Sequence, residues 1–406
     1  MIFQAAGQLL QPVIQAVVDQ FDASFQPSAK QRCMERRPWV ITGLFGSHKI
    51  QRDSYWDGAQ GHCPADAALG LEGSYTPALS KLMCRAAAKN SYAEASSDLR
   101  EYAAVKVSDR QIQRLVQQVA PEVTPWLETV KDQGQKALMY VCADGTGVPM
   151  RKEELAGRKG KQADGSAKTR EVKLGCVFLQ TQVDSKGHPV RTEDSTSYPG
   201  SFEEAAEFGL PLRREVPRRG LARATAHIFL GDGAAWVWEL ARVNFPAAIL
   251  ILDFYHALQH VFALAEALWG QDTEAGQKRI KCWKGWLLRD KAGDIIREAQ
   301  GKLGVGSALD TEKARKEIGC LENNLARMTY GTFRKAGYFI GSGVIEAGCK
   351  TVVGQRMKAS GMFWSEEGGQ AILDLRCAFL SNRLDAFWLA RANDHAARND
   401  VLSLAA

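Results

Sequence analysis

Three features are scarce or absent in this chain of 406 residues, and each absence excludes a class of protein. The nine cysteines are scattered and none forms a C-x-x-C pair, which argues against a zinc ribbon and against a disulfide framework. No segment approaches the ~18 consecutive apolar residues of a membrane-spanning helix. The start, MIFQAAGQLLQPVIQ, lacks the basic residues and cleavage site of a secretory signal. We therefore expect a cytoplasmic protein with reduced thiols and no membrane segment.

The remaining composition is that of a globular protein, with 45% hydrophobic and 24% charged residues. The length predicts two or three domains. The net charge of +6 is concentrated in three segments, 151–170, 213–223 and 278–291. Such segments can neutralise the phosphates of a nucleic acid. For any one of these segments taken alone, a solvated loop is the preferred explanation, so the charge alone does not decide the partner.

A run of apolar residues that ends in an aspartate occurs three times. LMYVCADGTG, residues 138–147, contains Asp144; AHIFLGDG, residues 226–233, contains Asp232; and AAILILD, residues 247–253, ends in Asp253. Each pattern predicts a buried strand that delivers a carboxylate to its C-terminal end. The glycines after Asp144 would let another group approach the backbone closely.

The order of the predicted elements indicates an α/β fold with a ribonuclease-H-like core. Three strands joined by hairpins (138–143, 171–183 and 188–192) precede two strands that alternate with helices (226–230 and 248–252). The first and fourth strands are neighbours in that topology, so Asp144 and Asp232 should meet. We predict the first part of the core at 136–269, an α-helical insertion at 270–335, and completion of the core with a C-terminal helix at 336–406.

A third acid, Glu346, is predicted to join these two aspartates. Ser342 can cap a helix from about 343 to 357, which places Glu346 near its first turn. Three carboxylates on rigid elements can hold two Mg²⁺ or Mn²⁺ ions for phosphoryl transfer. Each acid also has an ordinary structural explanation: an Asx-turn for Asp144, a helix cap for Asp232, and a favourable helix dipole for Glu346.

Further candidates surround these acids. Asp253 is expected to cap a long helix and to place His256 in its first turn, as a brace beside the metals or as an ordinary cap with a satisfied histidine. His260 lies four residues later, but no H-E-x-x-H pattern supports a zinc site. Arg356 and Lys358 could bind phosphates or complement the dipole of their helix.

The N-terminal third is predicted to be mainly helical and to bind DNA. Residues 1–75 indicate a helix over 1–35 followed by a small β-element, with a hairpin at 39–56, and residues 76–135 indicate three short helices and a linker. The third helix begins near Ser108, so Arg110, Gln111 and Arg114 lie where a recognition helix contacts bases. An ordinary helical hairpin with a solvated polar face fits the same pattern.

The motifs as a set resemble DDE transposases of the ISKra insertion-sequence family, which are related to Mutator-like and hAT transposases. The matching stretches are ADGTG at 143–147, FLGDGAAWVW at 229–238, DFYHALQH at 253–260, and the segment 340–365. The resemblance implies Asp144, Asp232 and Glu346 as metal ligands, and Asp253 with His256 as an accessory D-x-x-H motif. Relatives often carry paired cysteines near 55–63, where this chain has Cys63 alone.

The sequence thus predicts a bacterial, nucleoid-associated transposase that cleaves insertion-sequence ends and joins the 3′-hydroxyl to target DNA. Its partners would be double-stranded DNA carrying terminal inverted repeats, target DNA, and further copies of itself in a homodimer or larger assembly. Two alternatives stay open: a nuclease or resolvase on the same fold without strand transfer, and a non-catalytic DNA-binding derivative.

Overall fold

The structure, a computed structural model, describes residues 2–71, 73–130, 136–158, 160, 167–220, 223–270, 273–304 and 308–404. Parts of the basic segments 151–170 and 213–223, and of the linker within 76–135, lie outside the described residues. The chain divides into two compact units, one formed by residues 1–129 and 365–406 and the other by 130–364. The C-terminal helices, which the sequence analysis assigned to the core, are therefore grouped with the N-terminal third.

The first unit begins with a helix and a β-hairpin. Helix α1 spans Ile2–Ser24, and strands β1 (Arg32–Gly43), β2 (Gly46–Trp56) and β3 (Gly61–His62) form an antiparallel sheet. The predicted helix over 1–35 is thus too long, since Pro27 disfavours helical backbone just before it and a strand starts at Arg32. The core of this part contains Val18, Ile41, Ile50 and Ala65, the last from the short helix α2 (Pro64–Ala68).

The remainder of this unit is helical. Its helices are α3 (Pro77–Lys89), α4 (Tyr92–Ala103), α5 (Asp109–Val119), α6 (Val123–Thr129), α16 (Glu366–Leu380) and α17 (Leu384–Leu404). The three helices predicted over 76–120 are present, and Ser108 caps α5 in a capping box with Gln111. Apolar residues at helical spacing, Ile112, Leu115, Val116 and Val119, are buried, which leaves Arg110, Gln111 and Arg114 exposed.

A mixed five-stranded sheet forms the centre of the second unit, in the order β10-β9-β4-β5-β8. The strands are β4 (Ala137–Pro149), β5 (Thr169–Gln180), β8 (Gly200–Ser201), β9 (Ala224–Gly231) and β10 (Ile249–Leu252). Strands β4, β5 and β8 pair antiparallel, whereas β9 runs parallel to β4 and β10 parallel to β9. The chain is therefore of the mixed α/β class, and the expected pairing of the strands that precede Asp144 and Asp232 is observed.

The third strand of the sheet is not the one predicted. Residues 189–190 form strand β7, which pairs with β6 (Gln182–Val183) in a separate two-stranded ribbon. A turn over Asp184–Gly187 closes this ribbon, with Gly187 at a φ of +79°. The chain returns to the sheet only afterwards, where Ser197 bonds to Val177 and β8 pairs with β5.

Helices cover this sheet and extend beyond it. They are α7 (Ala205–Arg218), α8 (Ala235–Asn244), α9 (Phe254–Trp269), α10 (Glu274–Leu287), α11 (Ala292–Gly304), α12 (Thr311–Asn323) and α13 (Tyr330–Lys335). The predicted helix 343–357 is present as α14 (Gly343–Gly348), a π-helical turn (Cys349–Gly354) and α15 (Gln355–Met357). Across the described part of the chain, no helix has the length and apolarity needed to span a membrane.

A polar contact ties α9 to α12. His260 Nδ1 lies 2.6 Å from Glu317 Oε2, and its Nε2 lies 3.3 Å from Cys320 Sγ. The hydrogen bond with Cys320 and the bond with Glu317 raise the pKa of His260 to about 9, although burial opposes them. The two partners occupy opposite ring nitrogens, so this group is a hydrogen-bonded clamp and does not have the geometry of a shared metal site.

We predict that His260→Gln destabilises the protein most at low pH. The folded-state pKa is raised, so the stabilisation is complete below the unfolded value near 6.5 and is lost as the pH rises through about 9. With the side chain 32% exposed, we expect a loss of about 1–2 kcal/mol near pH 6 after solvent screening.

Urea unfolding at pH 6 and above pH 9.5 measures this difference. His188→Gln, in the exposed turn of the ribbon, is the matched control. An equal loss at both pH values would show that the clamp does not depend on the charge of His260.

Candidate functional site

The register of the parallel strands sets the level of the first two acids. Cys142 of β4 pairs with Leu230 of β9, so Asp144 and Asp232, each two residues further on, reach the same level of the sheet. Leu252 of β10 pairs with Gly231, which brings Asp253 to that level as well. Parallel strands lie ~4.8 Å apart, so three carboxylates follow one another along this edge.

The sequence analysis expected Asp144 at the end of its strand, but the strand continues beyond this residue. Strand β4 continues to Pro149, paired with β5, and Asp144 lies where the parallel partner β9 stops. The space beside Gly145 is also filled, because a Cβ at this position would collide with the side chain of Glu171. The glycines after Asp144 therefore accommodate the neighbouring strand on that face of the sheet.

Burial and neighbouring charge act together on Asp144. Burial raises the pKa of its carboxyl group, hydrogen bonds from Gly145 and Cys349 oppose this, and the charge of Asp232 raises the pKa further. Gly145 N donates to Oδ1 at 2.7 Å, and the Cys349 thiol donates to Oδ2 at 3.4 Å. Desolvation and a like charge both disfavour the ionised form, and a bound cation would relieve both.

Asp253 joins the starts of two helices. It is fully buried and caps α9 through Oδ1, which accepts bonds from His256 N at 2.8 Å and from Nδ1 of the same residue at 3.2 Å. Its Oδ2 accepts a short hydrogen bond from the backbone N–H of Ser342, the N-cap of α14. Burial alone would raise the pKa of Asp253, but the bonds from His256 and Ser342 hold it below its usual value.

These bonds of Asp253, which we call the Asp253 clamp, bring His256 and Glu346 together. Ligand atoms of Asp253, His256 and Glu346 all lie within 4.8 Å of one another, which makes these three a group that could hold a metal ion. The hydrogen bond to Asp253 raises the pKa of His256, burial opposes it, and the charges of Asp253, Asp232 and Glu346 raise it further. His256 is therefore influenced by carboxylates from the N-cap of α9, from the loop after β9 and from α14.

Within the described residues, neither Asp144 nor Asp232 belongs to a group of three potential metal ligands whose ligand atoms lie this close together. Asp232 nevertheless interacts electrostatically with both Asp144 and His256. Strand β9 lies between β4 and β10, so Asp232 lies between Asp144 and Asp253 along the sheet. The predicted residues thus occupy one region, but the tightest group contains the accessory residues and only one member of the predicted triad.

The donor atoms fit a hard divalent cation. Asp232 Oδ1 accepts a hydrogen bond from Ala234 N at 3.0 Å, and Glu346 Oε1 accepts one from the Ser342 hydroxyl at 3.4 Å. In each case the bonds to described residues involve one carboxylate oxygen, so the other can serve a ligand. Carboxylate oxygens are the ligands that Mg²⁺ and Mn²⁺ prefer, whereas imidazole is more typical of Zn²⁺ and other transition metals, which fits His256 as an accessory residue and not as a ligand.

Two basic residues, Arg356 and Lys358, were predicted to contact phosphates, but Arg356 is buried and only Lys358 is exposed. Arg356 is 1% exposed and lies over the ring of Trp364 at 5.1 Å, so burial removes it from contact with a strand at the surface. Trp364 is also buried and donates to Met357 O, which assigns it to the core. Lys358 is exposed, and its Nζ donates to the Thr146 hydroxyl, two residues after Asp144.

The sequence analysis did not predict the contact between Cys349 and Asp144. Cys349 follows Glu346 by three residues, a spacing that places two side chains on the same face of a helix. That spacing was the available signal, and the π-helical turn that starts at Cys349 was not visible in the residue pattern. π-Helical turns are rare and are frequently found at functional sites.

No protein-family model matches this chain, and no curated protein does either. Among solved structures, the chain is similar to the Drosophila P element transposase strand transfer complex. The identity is 9% over 80% of this chain and 83% of that chain, with a TM-score of 0.29. A similarity of this size is a distant likeness in structure and carries no argument about activity.

We predict that Asp253→Ala lowers the stability by about 3 kcal/mol, because it leaves buried donors at two helix starts without an acceptor. Glu346→Gln, which removes a half-buried charge in the same group, should change the melting temperature little. Thermal unfolding of both variants in EDTA tests this. If Asp253→Ala melts like the wild type, Asp253 is not a structural clamp.

Proposed function

We propose that this protein is a metal-dependent DNA transposase with a ribonuclease-H-like core. It would cleave DNA at the ends of an insertion sequence and join the freed 3′-hydroxyl to target DNA. Asp144, Asp232 and Glu346 would hold two Mg²⁺ or Mn²⁺ ions, with Asp253 and His256 as accessory residues. Membership of the ISKra family, suggested by the sequence motifs, is part of the same proposal.

The topology of the second unit supports this proposal. Numbered along the chain, the five strands of the sheet have the order 5-4-1-2-3, with an antiparallel meander followed by parallel crossovers. This is the order expected of a ribonuclease-H-like core. Helix α14 follows the helices α10 to α13 and carries the third acid back to the same edge of the sheet.

The observation that carries the proposal is the convergence of acids separated by about two hundred residues. The strand register brings Asp144, Asp232 and Asp253 to one level of the sheet, and ligand atoms of Asp253, His256 and Glu346 lie within 4.8 Å of one another. Helix caps and Asx-turns explain single residues, but they give no reason for four elements to bring their acids to one place. A site for hard cations gives that reason.

The residues of the chain would have distinct roles. Asp144 and Asp232 would each offer a carboxylate oxygen toward the cleaved phosphodiester, and Glu346 would close the site from the opposite side. Asp253 would fix the position of Glu346 through Ser342 and that of His256 through the cap of α9. Bound Mg²⁺ or Mn²⁺ would supply positive charge for the transition state and activate the attacking oxygen.

The first unit would recognise DNA. The exposed side chains of Arg110, Gln111 and Arg114 lie in the first turns of α5, where a recognition helix contacts bases. Gln111 also closes the capping box with Ser108, so its side chain is partly committed to the helix start.

Lys358 of the second unit, beside Thr146, would contact a phosphate of the cleaved strand. Two ends must be held together, which implies a homodimer or larger assembly on DNA.

We predict that Asp144→Asn and Glu346→Gln each lower the rate of DNA cleavage in Mg²⁺ by ~10³-fold or more, because each removes charge from the cation site. Asp184→Asn, an acid in the exposed ribbon turn, is the matched control and should keep the wild-type rate. Cleavage and joining of end-bearing DNA are measured on gels. Wild-type rates for Asp144→Asn would exclude the assignment.

Joining separates a transposase from a nuclease or resolvase on the same fold. Supplied with pre-cleaved ends that carry a 3′-hydroxyl, a transposase links them to a second duplex, whereas a nuclease leaves them unjoined. A non-catalytic derivative would fail both assays. It would also show no Mn²⁺ binding that Asp144→Asn or Glu346→Gln weakens.

A further inference from the structure

A groove of about 760 Å³ lies beside the Asp232 end of the sheet, between α8 and α12. Its lining includes Trp238, Arg242, Arg315, Lys316, Cys320 and Arg327. We propose that this groove binds the phosphate backbone of one DNA strand next to the cleaved bond. The proposal rests on DNA being the substrate, as argued above, and adds the surface along which one strand would run.

The groove carries a clear excess of positive charge. Four of its residues are basic, and its one acid, Glu239, is paired with Arg242 at 2.6 Å and 2.9 Å. Arg315 and Lys316 are exposed, and neither forms an ion pair with any other described residue. Three cations of the groove thus remain available to an anionic ligand, and phosphates are the natural partners of such a surface.

Arg327 is held in place for such a ligand. Its guanidinium lies 4.5 Å from the ring centroid of Trp238, and Nη1 donates to Asn323 O at 3.0 Å and to Asn324 Oδ1 at 2.9 Å. Asn324 is buried and is itself fixed by a bond to Cys320 O. Both bonds use Nη1, so Nη2 and Nε can form the two-pronged contact that arginine makes with phosphate.

Position and length favour a strand over a small anion. Gly233, which directly follows Asp232, lines one end of the groove beside Asn324. Lys316 lies eight residues before Asn324, which corresponds to ~12 Å along the helix axis. The cations therefore extend away from the carboxylates over a distance greater than one phosphate group, as a strand leaving the site would require.

The test uses the full chain and a fluorescein-labelled, mixed-sequence, single-stranded oligodeoxynucleotide, with EDTA present so that no cleavage occurs. The variant Arg315→Gln/Lys316→Gln removes two phosphate contacts. Binding should weaken by about tenfold at ~0.1 M salt, and the slope of log Kd against log salt should fall by about 1.4. The control variant Arg334→Gln/Lys335→Gln removes the same two charges from the exposed end of α13, outside the groove, and should leave the slope unchanged.

Cysteine labelling locates the bound strand independently. Iodoacetamide forms an S–C bond with a thiolate as iodide leaves, and peptide mapping follows each cysteine separately. The oligonucleotide should protect Cys320, which lines the groove, and should not protect Cys282, which is also half-buried but lies on α10. Equal labelling of Cys320 with and without the oligonucleotide would contradict a strand in the groove.

Three further outcomes would overturn the proposal: an unchanged slope in Arg315→Gln/Lys316→Gln, equal protection of both cysteines, or protection of Cys320 by inorganic phosphate alone at the same phosphate concentration. The last would identify a small-anion site. Failure of the cleavage assay leaves this test intact, because binding in EDTA does not require the carboxylates to act.

Discussion

The geometry of the candidate site depends on one buried carboxylate. Asp253 is inaccessible to solvent, and such a charge is tolerated only where hydrogen bonds replace the lost water. Its two oxygens meet that requirement with donors from two helices that lie far apart in sequence, at His256 and at Ser342. The same bonds that satisfy the charge therefore fix the starts of α9 and α14 relative to each other.

This constraint explains why the tightest group of potential ligands is Asp253, His256 and Glu346. A residue that uses both oxygens to hold backbone and ring N–H groups is better suited to positioning than to direct ligation. Asp232 and Glu346, by contrast, each bond to described residues through one oxygen and leave the other for a ligand. Asp144 accepts bonds at both oxygens, of which the one from the Cys349 thiol is long at 3.4 Å, and burial and the charge of Asp232 raise the pKa of its carboxyl group. Under the proposed function, two aspartates on neighbouring strands would act together with Glu346, whose helix start is fixed by the bond between Asp253 and Ser342.

The surroundings of the acids add a second layer of organisation. The π-helical turn carries Cys349 against Asp144, and Lys358 at the end of the same helix reaches Thr146. On the other side, the loop after β9 leads from Asp232 into the basic groove between α8 and α12. One helix thus fixes the first acid, while the neighbouring groove offers an anionic strand a path away from it.

The sequence by itself determined the elements whose signals are local. Helix α3 over Pro77–Lys89, the Ser108 cap of α5 and the helix from Gly343 onward follow from apolar spacing and capping chemistry, which act within a few residues. The neighbouring positions of Asp144 and Asp232 also followed, because strand order constrains which strands lie side by side. Tertiary structure decided the rest. The return of the third strand at Gly200, the burial of Arg356 and the grouping of residues 365–406 with the N-terminal third depend on contacts between distant segments. So does the clamp at Asp253, because its second acceptor bond comes from Ser342, a partner 89 residues away that no local pattern specifies.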